Sequence, residues 1–304
     1  MIATLGDLVD DIVVWPSGPV QPGTDTPARV QRRRGGSAAN VASMVARRGG
    51  ASRFIGCVGA DVRADQLTDE LRLDGVDVRV DRHPHAATGS IVVLVSPDGE
   101  RSFLTDRGAS TGLMAPRTSW LDGVTALHIP IYSFTVEPLS VTAVALAVMA
   151  NERGVPLSID ASSVAALIDL GTDAVHAMLG ALRPAVLFAN HDEATLLRLG
   201  PDRPAAGAGL TALRNGSQPT LIVDADGGVT RVEVPPVDHV VDTTDTTGAG
   251  DAFAAGWLLA RQRGAAPADA AAEGHALAAQ VLGVPGADLP IDALVADRSE
   301  DPAP

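Results

Sequence analysis

The sequence predicts an α/β fold in which helices cover both faces of a mostly parallel sheet and a separate, smaller β-sheet lies beside it. From residue 127 onward, apolar strand-like segments alternate with helical segments, roughly one pair every 30 residues, which is typical of parallel strands joined by crossover helices. Two regions, about 11–33 and 86–107, break this alternation because they are rich in β-forming and turn residues and have no crossover helix. The chain of 304 residues is long enough for one large domain of this kind.

The individual elements follow from apolar runs and from the helical spacing of apolar residues. Most strands are apolar runs bounded by glycine, proline or aspartate, and the helix at 138–153 stops before Gly154, a residue type that favours helix C-termini. Pro97-Asp98-Gly99 predicts the turn of a β-hairpin. The predicted strands are 2–5, 11–14, 53–58, 88–95, 101–105, 127–130, 155–160, 185–190, 220–223 and 228–234. The predicted helices are 41–48, 62–73, 138–153, 163–170, 174–181, 192–199, a short helix within 202–216, and 252–260; we expect 299–304 to be a disordered tail.

Composition and charge exclude several classes of protein. The formal net charge is −14 and is spread along the chain, which argues against binding to nucleic acid or to anionic membranes. The chain contains no lysine, so a Walker A loop, a protein-kinase ATP site and Schiff-base chemistry are excluded. Cys57 is the single cysteine, so no internal disulfide can form. With no signal-peptide pattern at Met1 and no apolar run of membrane-spanning length, we expect a cytoplasmic protein.

The segment Asp245-Thr-Thr-Gly-Ala-Gly-Asp251 predicts an anion-binding site. It follows a strand-like stretch and opens into an apolar helix. Gly248, Ala249 and Gly250 allow backbone N–H groups to approach a phosphate, and the start of the helix adds the positive end of its dipole. Asp251 then lies where a carboxylate can take a proton from an attacking hydroxyl. The alternative is an ordinary glycine turn in which Asp251 caps the helix.

A second glycine segment near the N-terminus has the same character. Gly35-Gly36-Ser37-Ala38-Ala39-Asn40 leads into the helical pattern at 41–48. Two glycines before a helix again allow the backbone to come close to a ligand, and the Asn40 amide lies where it can cap the helix or reach a hydroxyl. Gly-Gly loops are common, so the argument depends on the two segments taken together.

Together, the two segments resemble the two signatures of the ribokinase family, also called the PfkB family of carbohydrate kinases. The resemblance extends from Gly6 to about Pro290. It implies a ribokinase-like three-layer α/β/α sandwich formed by a single domain at 1–298, in which 11–33 and 86–107 make a small β-sheet lid over the active site. It also implies a kinase that uses ATP and Mg²⁺ and acts on a hydroxyl of a sugar or related polyol. Because such a lid leaves one apolar face uncovered, we also expect a homodimer formed through it.

The resemblance assigns roles to the acidic residues. Asp251 is implied as the general base, and the backbone of 248–250 is implied to stabilise the transferring phosphoryl group. Asp11 is implied as the acceptor of hydrogen bonds from two sugar hydroxyls. Asp7 and Asp10 lie in the same acidic turn and compete with Asp11 for that role.

The rest of the sugar site is implied by the same likeness. Gly35, Gly36 and Asn40 would complete it. Arg107, at the end of the lid hairpin, is implied to face the substrate, and the alternative is an ordinary surface arginine.

Three further segments are implied to handle the nucleotide and its cations. Asn190-His-Asp-Glu193 matches the family motif N-x-x-E, which acts on Mg²⁺, mostly through water, and on phosphate; the alternative is a capping box. Asp224-Ala-Asp-Gly-Gly228 stands for the family's G-x-x-G beneath the nucleotide, with Ala225 replacing the first glycine. The third segment precedes Asp251 and is implied to contact nucleotide through Thr246, Gly248 and Gly250, and to hold a monovalent cation, K⁺, around Asp245 and Thr247.

Other functions remain open on the same residues. A nucleoside kinase of adenosine type shares both signatures but tends to grip the base with aromatic side chains, and the candidates here are Trp15, Phe103, Tyr132 and Phe134. A catalytically silent sugar-binding protein on the same fold is the alternative from another class. A Rossmann oxidoreductase is disfavoured because no G-x-G-x-x-G follows the first strand. Asp160-Ala-Ser-Ser163 lacks the arginine of the D-x-N-x-R motif found in many fructokinase-type relatives, so the sequence names no particular sugar.

Overall fold

The computed structural model describes residues 1–96, 101–236 and 247–282 of the chain. Within these ranges, the strands form two sheets and α-helices cover the larger one. The strands are β1 (Ile2–Leu5), β2 (Val9–Pro16), β3 (Ala28–Gly35), β4 (Ser52–Gly59), β5 (Asp77–His83), β6 (Thr88–Val95), β7 (Arg101–Gly108), β8 (Ala126–Pro130), β9 (Leu157–Asp160), β10 (Val186–Asn190), β11 (Leu210–Asn215), β12 (Gln218–Asp224) and β13 (Val229–Val232). The helices are α1 (Ser37–Arg47), α2 (Val62–Leu73), α3 (Leu139–Glu152), α4 (Val164–Leu170), α5 (Thr172–Leu182), α6 (His191–Leu196), α7 (Ala249–Gln262) and α8 (Pro267–Leu282).

The larger sheet has nine strands in the order β13-β12-β11-β10-β9-β8-β1-β4-β5. Neighbouring strands from β11 to β5 pair in parallel, whereas β12 and β13 return antiparallel and form one edge of the sheet. The carboxyl ends of the parallel strands therefore meet at one border of the sheet, which we call the carboxyl border. In open α/β sheets, ligands bind at this border.

Side chains of this sheet alternate between two cores, which makes the molecule three layers deep. Along β10, Leu187 and Ala189 belong to one buried cluster with α3, α4 and α5. Val186 and Phe188, which point to the opposite face, belong to a second cluster with α1, α7 and α8. A third cluster packs α1 and α2 over β4. Burial on both faces explains why the parallel strands are continuously apolar in sequence.

The two regions that break the βα alternation form one smaller sheet of four strands, in the order β3-β2-β6-β7. β2 of the first region pairs in parallel with β6 of the second, and β3 and β7 add antiparallel at its two edges. This sheet is the one that the sequence predicts as a lid. The turn predicted at 97–99 and the tail predicted at 299–304 both lie outside the described residues.

The predicted short helix within 202–216 was wrong. Residues 210–215 are strand β11, and no helix lies between residues 200 and 216, a stretch that the structure describes throughout. Consecutive side chains of this stretch pack on opposite faces of the sheet, which is the period of a strand and not of a helix. Ala212 packs into the cluster that contains Phe188, whereas Leu213 packs against the opposite cluster.

Among the described helices, no single one is both long and apolar enough to cross a membrane. Helices α4 and α5 pass that test only as a pair, bent by 90° at the break between them.

Candidate active site

The first turns of helices α1 and α7 meet at the carboxyl border of the large sheet, and Asp251 lies between them. Ser37 Oγ donates a hydrogen bond of 2.6 Å to one carboxylate oxygen of Asp251, and Asn40 Nδ2 donates one of 2.9 Å to the other. The two sequence signatures thus form one site. Of the residues involved, Ser37 received no role in the sequence analysis, although it lies inside the first signature.

Asp251 does not act as a helix cap. The N-cap of α7 is Gly248, whose φ of 79° lies in the left-handed region, and Asp251 lies within the first turn. Its side chain is turned away from the backbone N–H groups of its own helix and toward α1. Those N–H groups have no partner within the helix, as at every helix start, so they remain available to an anion.

Burial raises the pKa of Asp251 to about 6, and the hydrogen bonds from Ser37 and Asn40 oppose that rise. The negative charge of Asp160 raises the pKa further, and the Arg214 guanidinium lowers it. A carboxylate with this pKa is mostly ionised at neutral pH and still binds a proton far more readily than an exposed aspartate. These are the properties of a general base.

The three aspartates that compete at the start of the chain have different partners. Asp10 is 1% exposed and forms an ion pair of 2.6 Å with Arg63, together with a short contact to Arg32. Asp7 accepts two hydrogen bonds, of 2.7 and 2.8 Å, from Arg107. Asp7 and Asp10 are therefore both paired with arginines.

Asp11 is the remaining carboxylate, and it is held close to the glycine segment. Its Oδ1 atom is buried without a hydrogen-bond partner among the described residues. A Cβ atom on Gly35 would lie 2.2 Å from that oxygen, so only glycine fits there. Burial, and then the charges of Asp10 and Asp251, raise the pKa of Asp11 to about 7, while Arg34 lowers it. A buried acceptor without a partner is ready to bind hydroxyl groups.

Gly36 closes the same turn. Its φ of 101° is one that side-chain-bearing residues rarely adopt, and a Cβ atom there would lie 2.2 Å from the carbonyl oxygen of Asp7. The backbone therefore passes close to the end of β1, as the sequence analysis expects for a Gly-Gly segment before a helix.

Arg107 does not present its guanidinium to a ligand. Nε and Nη2 donate to Asp7, and Nη1 donates to Thr135 Oγ1 at 2.8 Å. The predicted substrate contact of Arg107 is therefore replaced by a different role, which is to tie strand β7 of the small sheet to the end of β1. Sequence spacing could not show this pair, because 100 residues separate its members.

Asn190 and Glu193 begin helix α6 as a complete capping box. Asn190 Oδ1 accepts a bond of 3.0 Å from the Glu193 N–H, and Glu193 Oε2 accepts one of 2.8 Å from the Asn190 N–H. Glu193 is only 2% exposed, and burial followed by the charge of Asp160 raises its pKa to about 7. The capping box, which the sequence offered as the alternative, is thus present. It orients the buried carboxylate of Glu193 at the carboxyl border. Among the described residues, no group of three or more His, Cys, Asp or Glu side chains is arranged to hold a metal.

Asp224 and Gly228 lie at the wrong end of the sheet for the predicted nucleotide contact. Strand β12 runs antiparallel to β11, so Asp224 pairs with Leu210, at the start of β11. Asp224 there closes its own turn by accepting a hydrogen bond of 2.8 Å from the Gly228 N–H. The prediction was wrong because β11 was not recognised as a strand. The strand after it was therefore expected to run parallel to the others, whereas it runs antiparallel.

The turn that does reach the carboxyl border is the one between β11 and β12. Asn215 pairs with Gln218 there, and Arg214 lies opposite Asn190 at the end of β10. An Asn-Gly dipeptide, Asn215-Gly216, is a hairpin signal that the sequence analysis overlooked.

Of the segment before Asp251, Thr247 is described, and Asp245 and Thr246 lie outside the described residues. Arg101, at the start of β7 in the small sheet, donates a hydrogen bond to Thr247 Oγ1. The small sheet therefore touches the loop that leads into the candidate anion site. Arg101 carried no predicted role.

The chain matches the model of the "pfkB family carbohydrate kinase" over residues 1–294. It belongs to the pfkB family of carbohydrate kinases. It is 31% identical to a fructokinase of Klebsiella pneumoniae over 266 residues, which cover 84% of this chain and 83% of that protein. It is therefore an ATP-dependent kinase that transfers the γ-phosphoryl group to a hydroxyl of a small sugar-like molecule.

Two solved structures agree with the ribokinase-like fold of this kinase. A ribokinase II of E. coli in complex with ATP and Mg²⁺ superimposes with a TM-score of 0.78 at 25% identity, covering 94% of each chain. An adenosine kinase of Sinorhizobium meliloti superimposes with a TM-score of 0.83 at 23% identity, covering 96% of each chain. At 23% identity, the second likeness concerns the fold alone.

Proposed function

We propose that this kinase phosphorylates a hydroxyl of an uncharged sugar or polyol, with Asp251 as general base and Asp11 as the acceptor of substrate hydrogen bonds. The observation that carries the proposal is the pair of half-buried carboxylates, Asp11 and Asp251, at the meeting point of α1, α7 and β2. The charge of Asp251 raises the pKa of Asp11, so the two lie within electrostatic reach of each other. A polyol bound to Asp11 would thus lie beside Asp251.

In the proposed reaction, Asp251 takes the proton of the substrate hydroxyl as its oxygen bonds to the γ-phosphorus. The bond from that phosphorus to the bridging oxygen breaks, and ADP leaves. Backbone N–H groups at Gly248, Ala249 and Gly250, at the positive end of the α7 dipole, stabilise the negative charge of the transferring group. Ser37 and Asn40 hold Asp251 in position for proton transfer.

The chemistry of Asn190 and Glu193 fits Mg²⁺, which prefers oxygen ligands and keeps several waters. When bound, the ion would neutralise phosphate charge. Glu193 would contact it through water, because the capping box already fixes both carboxylate oxygens. The E. coli relative binds ATP and Mg²⁺ together. A K⁺ site around Asp245 and Thr247 stays a proposal, and activity measured with K⁺ replaced by Na⁺ would test it.

Charge favours an uncharged substrate over a phosphosugar or sugar acid. Three arginines near the glycine segment have acidic partners, since Arg32 and Arg63 pair with Asp10 and Arg107 pairs with Asp7, whereas Arg33 donates to Gln31. Arg34 is 10% exposed and donates to Ser43 and Asp74. A second anion in this site would face Asp11 and Asp251, and like charges brought together cost several kcal/mol.

The aromatic side chains give little support to a nucleoside substrate. Phe134 is buried in the core, Trp15 lies against Arg29 with 3.9 Å between the guanidinium and the ring, and Phe103 is 55% exposed on an edge strand. Tyr132 lies near the acidic site, since the charge of Asp251 raises its pKa after burial does. Phe103 shares the face of the small sheet that carries Asp11, but it lies two strands away. A single ring does not form the two-sided grip that bases usually receive.

The test is a screen of acceptors with Mg-ATP, in which ADP release is measured for matched pairs. Fructose is compared with fructose 6-phosphate, ribose with ribose 5-phosphate, a sugar with its acid, and ribose with adenosine. We expect kcat/KM for the best uncharged sugar or polyol to exceed that of its anionic partner by at least about 100-fold, the effect of a few kcal/mol. Preference for a phosphosugar, a sugar acid or adenosine would contradict the proposal.

We also propose that two copies associate through the small sheet. Its edge strands β3 and β7 expose the apolar side chains of Val30 and Leu104, which the register places on the face opposite to Asp11. Covering such a patch is a common reason for symmetric association. Light scattering should give the mass of a dimer for the native chain, and a monomer for Val30→Asp with Leu104→Asp; a monomeric native chain would contradict the proposal.

A further inference from the structure

Arg214 lies at the carboxyl end of β11, where three parts of the fold meet. Its side chain is 13% exposed. Nη2 donates a hydrogen bond of 2.8 Å to Asp160 Oδ2 at the end of β9, and Nη1 donates one of 3.1 Å to the carbonyl oxygen of Gly250. Gly250 is in the first turn of α7, immediately before Asp251. One guanidinium group therefore joins two strand ends to the turn that carries the candidate base.

The guanidinium has little freedom to move. Its central carbon lies 5.8 Å from the ring centre of Phe188, on β10, and 5.4 Å from that of Phe253, on α7. A Cβ atom on Gly250 would lie 3.2 Å from Arg214 Nη1, so the glycine allows this close approach. Asp160 is itself held, because its other carboxylate oxygen accepts a bond of 2.8 Å from the Ser162 N–H.

The planar shape of arginine suits this position. Two nitrogens of a guanidinium can donate in fixed, divergent directions, which a lysine ammonium cannot do with the same rigidity. The sequence gives no signal for the role, since Arg214 belongs to an unrecognised strand and its partners lie 54 and 36 residues away. The family motif D-x-N-x-R does not indicate this role of Arg214 either, because its arginine is missing after Asp160.

We infer that Arg214 is a positioning residue for phosphoryl transfer: it clamps the first turn of α7, and with it Asp251, to the carboxyl ends of β9 and β11. It does so by neutralising Asp160 beneath that turn and by binding the Gly250 carbonyl directly. The inference rests on the proposed role of Asp251 as general base.

Electrostatics give the clamp a measurable second effect. The groups that act on Asp251 come from every element around it: Ser37 and Asn40 from α1, Asp11 from β2, and Asp160 and Arg214 from the strand ends. Tyr132, after β8, senses the charge of Asp251 as well. Arg214 is the cation of this set that lowers the pKa of Asp251. Loss of Arg214 should therefore move the ionisation of the base to higher pH.

The experiment measures four variants of the full chain beside the native enzyme. Each is assayed with the acceptor that the native enzyme uses best. Arg214→Met removes the clamp but leaves Asp160 buried without its cation, which can prevent folding. Arg214→Met with Asp160→Asn removes both charges, so a folded protein without the clamp can be measured. Arg214→Lys keeps the charge without the fork. Arg231→Met, on the exposed edge strand β13, is the matched arginine control, since Arg231 pairs only with exposed Glu233 among the described residues.

We expect the double variant to lose on the order of 100-fold in kcat, the effect of a base misplaced by about 1 Å, while KM for sugar and for ATP changes less than about threefold. The acid limb of its kcat profile should not move to higher pH, because Asp160 raises the pKa of Asp251, Arg214 lowers it, and both charges are gone. Arg214→Met alone, which keeps Asp160, should move the acid limb to higher pH. Arg214→Lys should recover part of the rate, and Arg231→Met should match the native enzyme.

Two outcomes overturn the inference. One is a folded double variant with native kcat. The other is a raised KM for ATP with kcat unchanged, since that result describes a nucleotide contact and not a positioning role. Asp251→Asn, measured in parallel, distinguishes failure of the proposed base from failure of the Arg214 inference. If Asp251→Asn keeps its turnover, the proposed role of Asp251 is wrong. If Asp251→Asn loses turnover while the Arg214 variants keep theirs, only the inference about Arg214 fails.

Discussion

Asn40 Nδ2 lies 2.9 Å from a carboxylate oxygen of Asp251, and this hydrogen bond joins two helix starts that are 211 residues apart in the chain. Helix α1, which follows the Gly-Gly segment, thus holds the side chain of Asp251 in the first turn of α7, where the candidate anion site lies. With Ser37 on the other carboxylate oxygen, both acceptor atoms of Asp251 face α1. A hydroxyl group that enters between α1, α7 and Asp11 would meet the base already oriented.

Asp11 and Asp10 are neighbours with opposite environments, which makes them a matched pair for mutation. Asp11→Asn should lower sugar affinity at least about tenfold, because a charged hydrogen bond contributes about 1.5–3 kcal/mol, and ATP affinity should stay near native. Asp10→Asn should instead lower the melting temperature, because Arg63 and Arg32 lose a buried partner. Calorimetric titration with sugar, alongside thermal unfolding, distinguishes them; equal loss of sugar affinity in both variants would count against Asp11 as the ligand.

The pKa of Asp251 predicts the pH dependence of turnover. Since the base must be ionised and burial sets its pKa at about 6, kcat should fall about tenfold for each pH unit below that value and reach a plateau above it. The Asn40 hydrogen bond lowers that pKa, so Asn40→Ala should move the acid limb to higher pH. Asn151→Ala, which removes a bond to Leu182 O, is the matched control. An acid limb that stays in place for Asn40→Ala would contradict this account.

The same pKa predicts that Asp251 destabilises the folded enzyme at neutral pH. Its folded value of about 6 lies above the ordinary 3.8, so the native state binds more protons than the unfolded state between these values. The free energy of unfolding therefore falls as pH rises from about 4 to about 6, by on the order of 3 kcal/mol, and stays low above pH 6.

Asp251→Asn should accordingly raise the melting temperature at pH 8 and have a smaller effect at pH 4.5. Thermal unfolding of both proteins at the two pH values is the measurement. A variant whose melting temperature falls more at pH 8 than at pH 4.5 would contradict this prediction.

Parts of this site could be predicted from sequence, and the reason is local geometry. The candidate anion site at 248–250 and the glycines at 35 and 36 belong to short segments in which neighbouring residues dictate the turn. The choice among Asp7, Asp10 and Asp11 could not be made in this way, because the arginines that occupy two of them come from residues 63 and 107. Such pairs depend on the packing of the small sheet onto the large one.

The error at Asp224 has a different physical cause. Residues 210–215 form a short segment of mixed apolar and polar side chains, so helix and strand patterns are hard to distinguish there. Once β11 is read as a helix, the next strand is taken to run parallel with the others, and its end appears at the carboxyl border. The antiparallel return of β12 places Asp224 at the opposite border and leaves Arg214 at the site.

If the small sheet closes over the sugar, its two parts should respond together. Hydrogen exchange at β2 and β3 and at β6 and β7 should slow in parallel when the acceptor sugar is added, more than exchange in β8 or β9. The reason is that β2 and β6 are neighbours in one sheet and Asp11 lies on β2. Protection confined to one of the two parts would contradict a single lid.

The measurement that tests the account most directly is phosphoryl transfer by Asp251→Asn. Phosphorus NMR of native enzyme with Mg-ATP and its best uncharged acceptor should show a sugar phosphomonoester and ADP forming together. Asp251→Asn keeps the shape of the side chain but cannot take the proton, so we expect a rate lower by about 10²–10⁴-fold with sugar affinity little changed. Turnover by Asp251→Asn within about threefold of the native rate would contradict the assignment of Asp251 as the base.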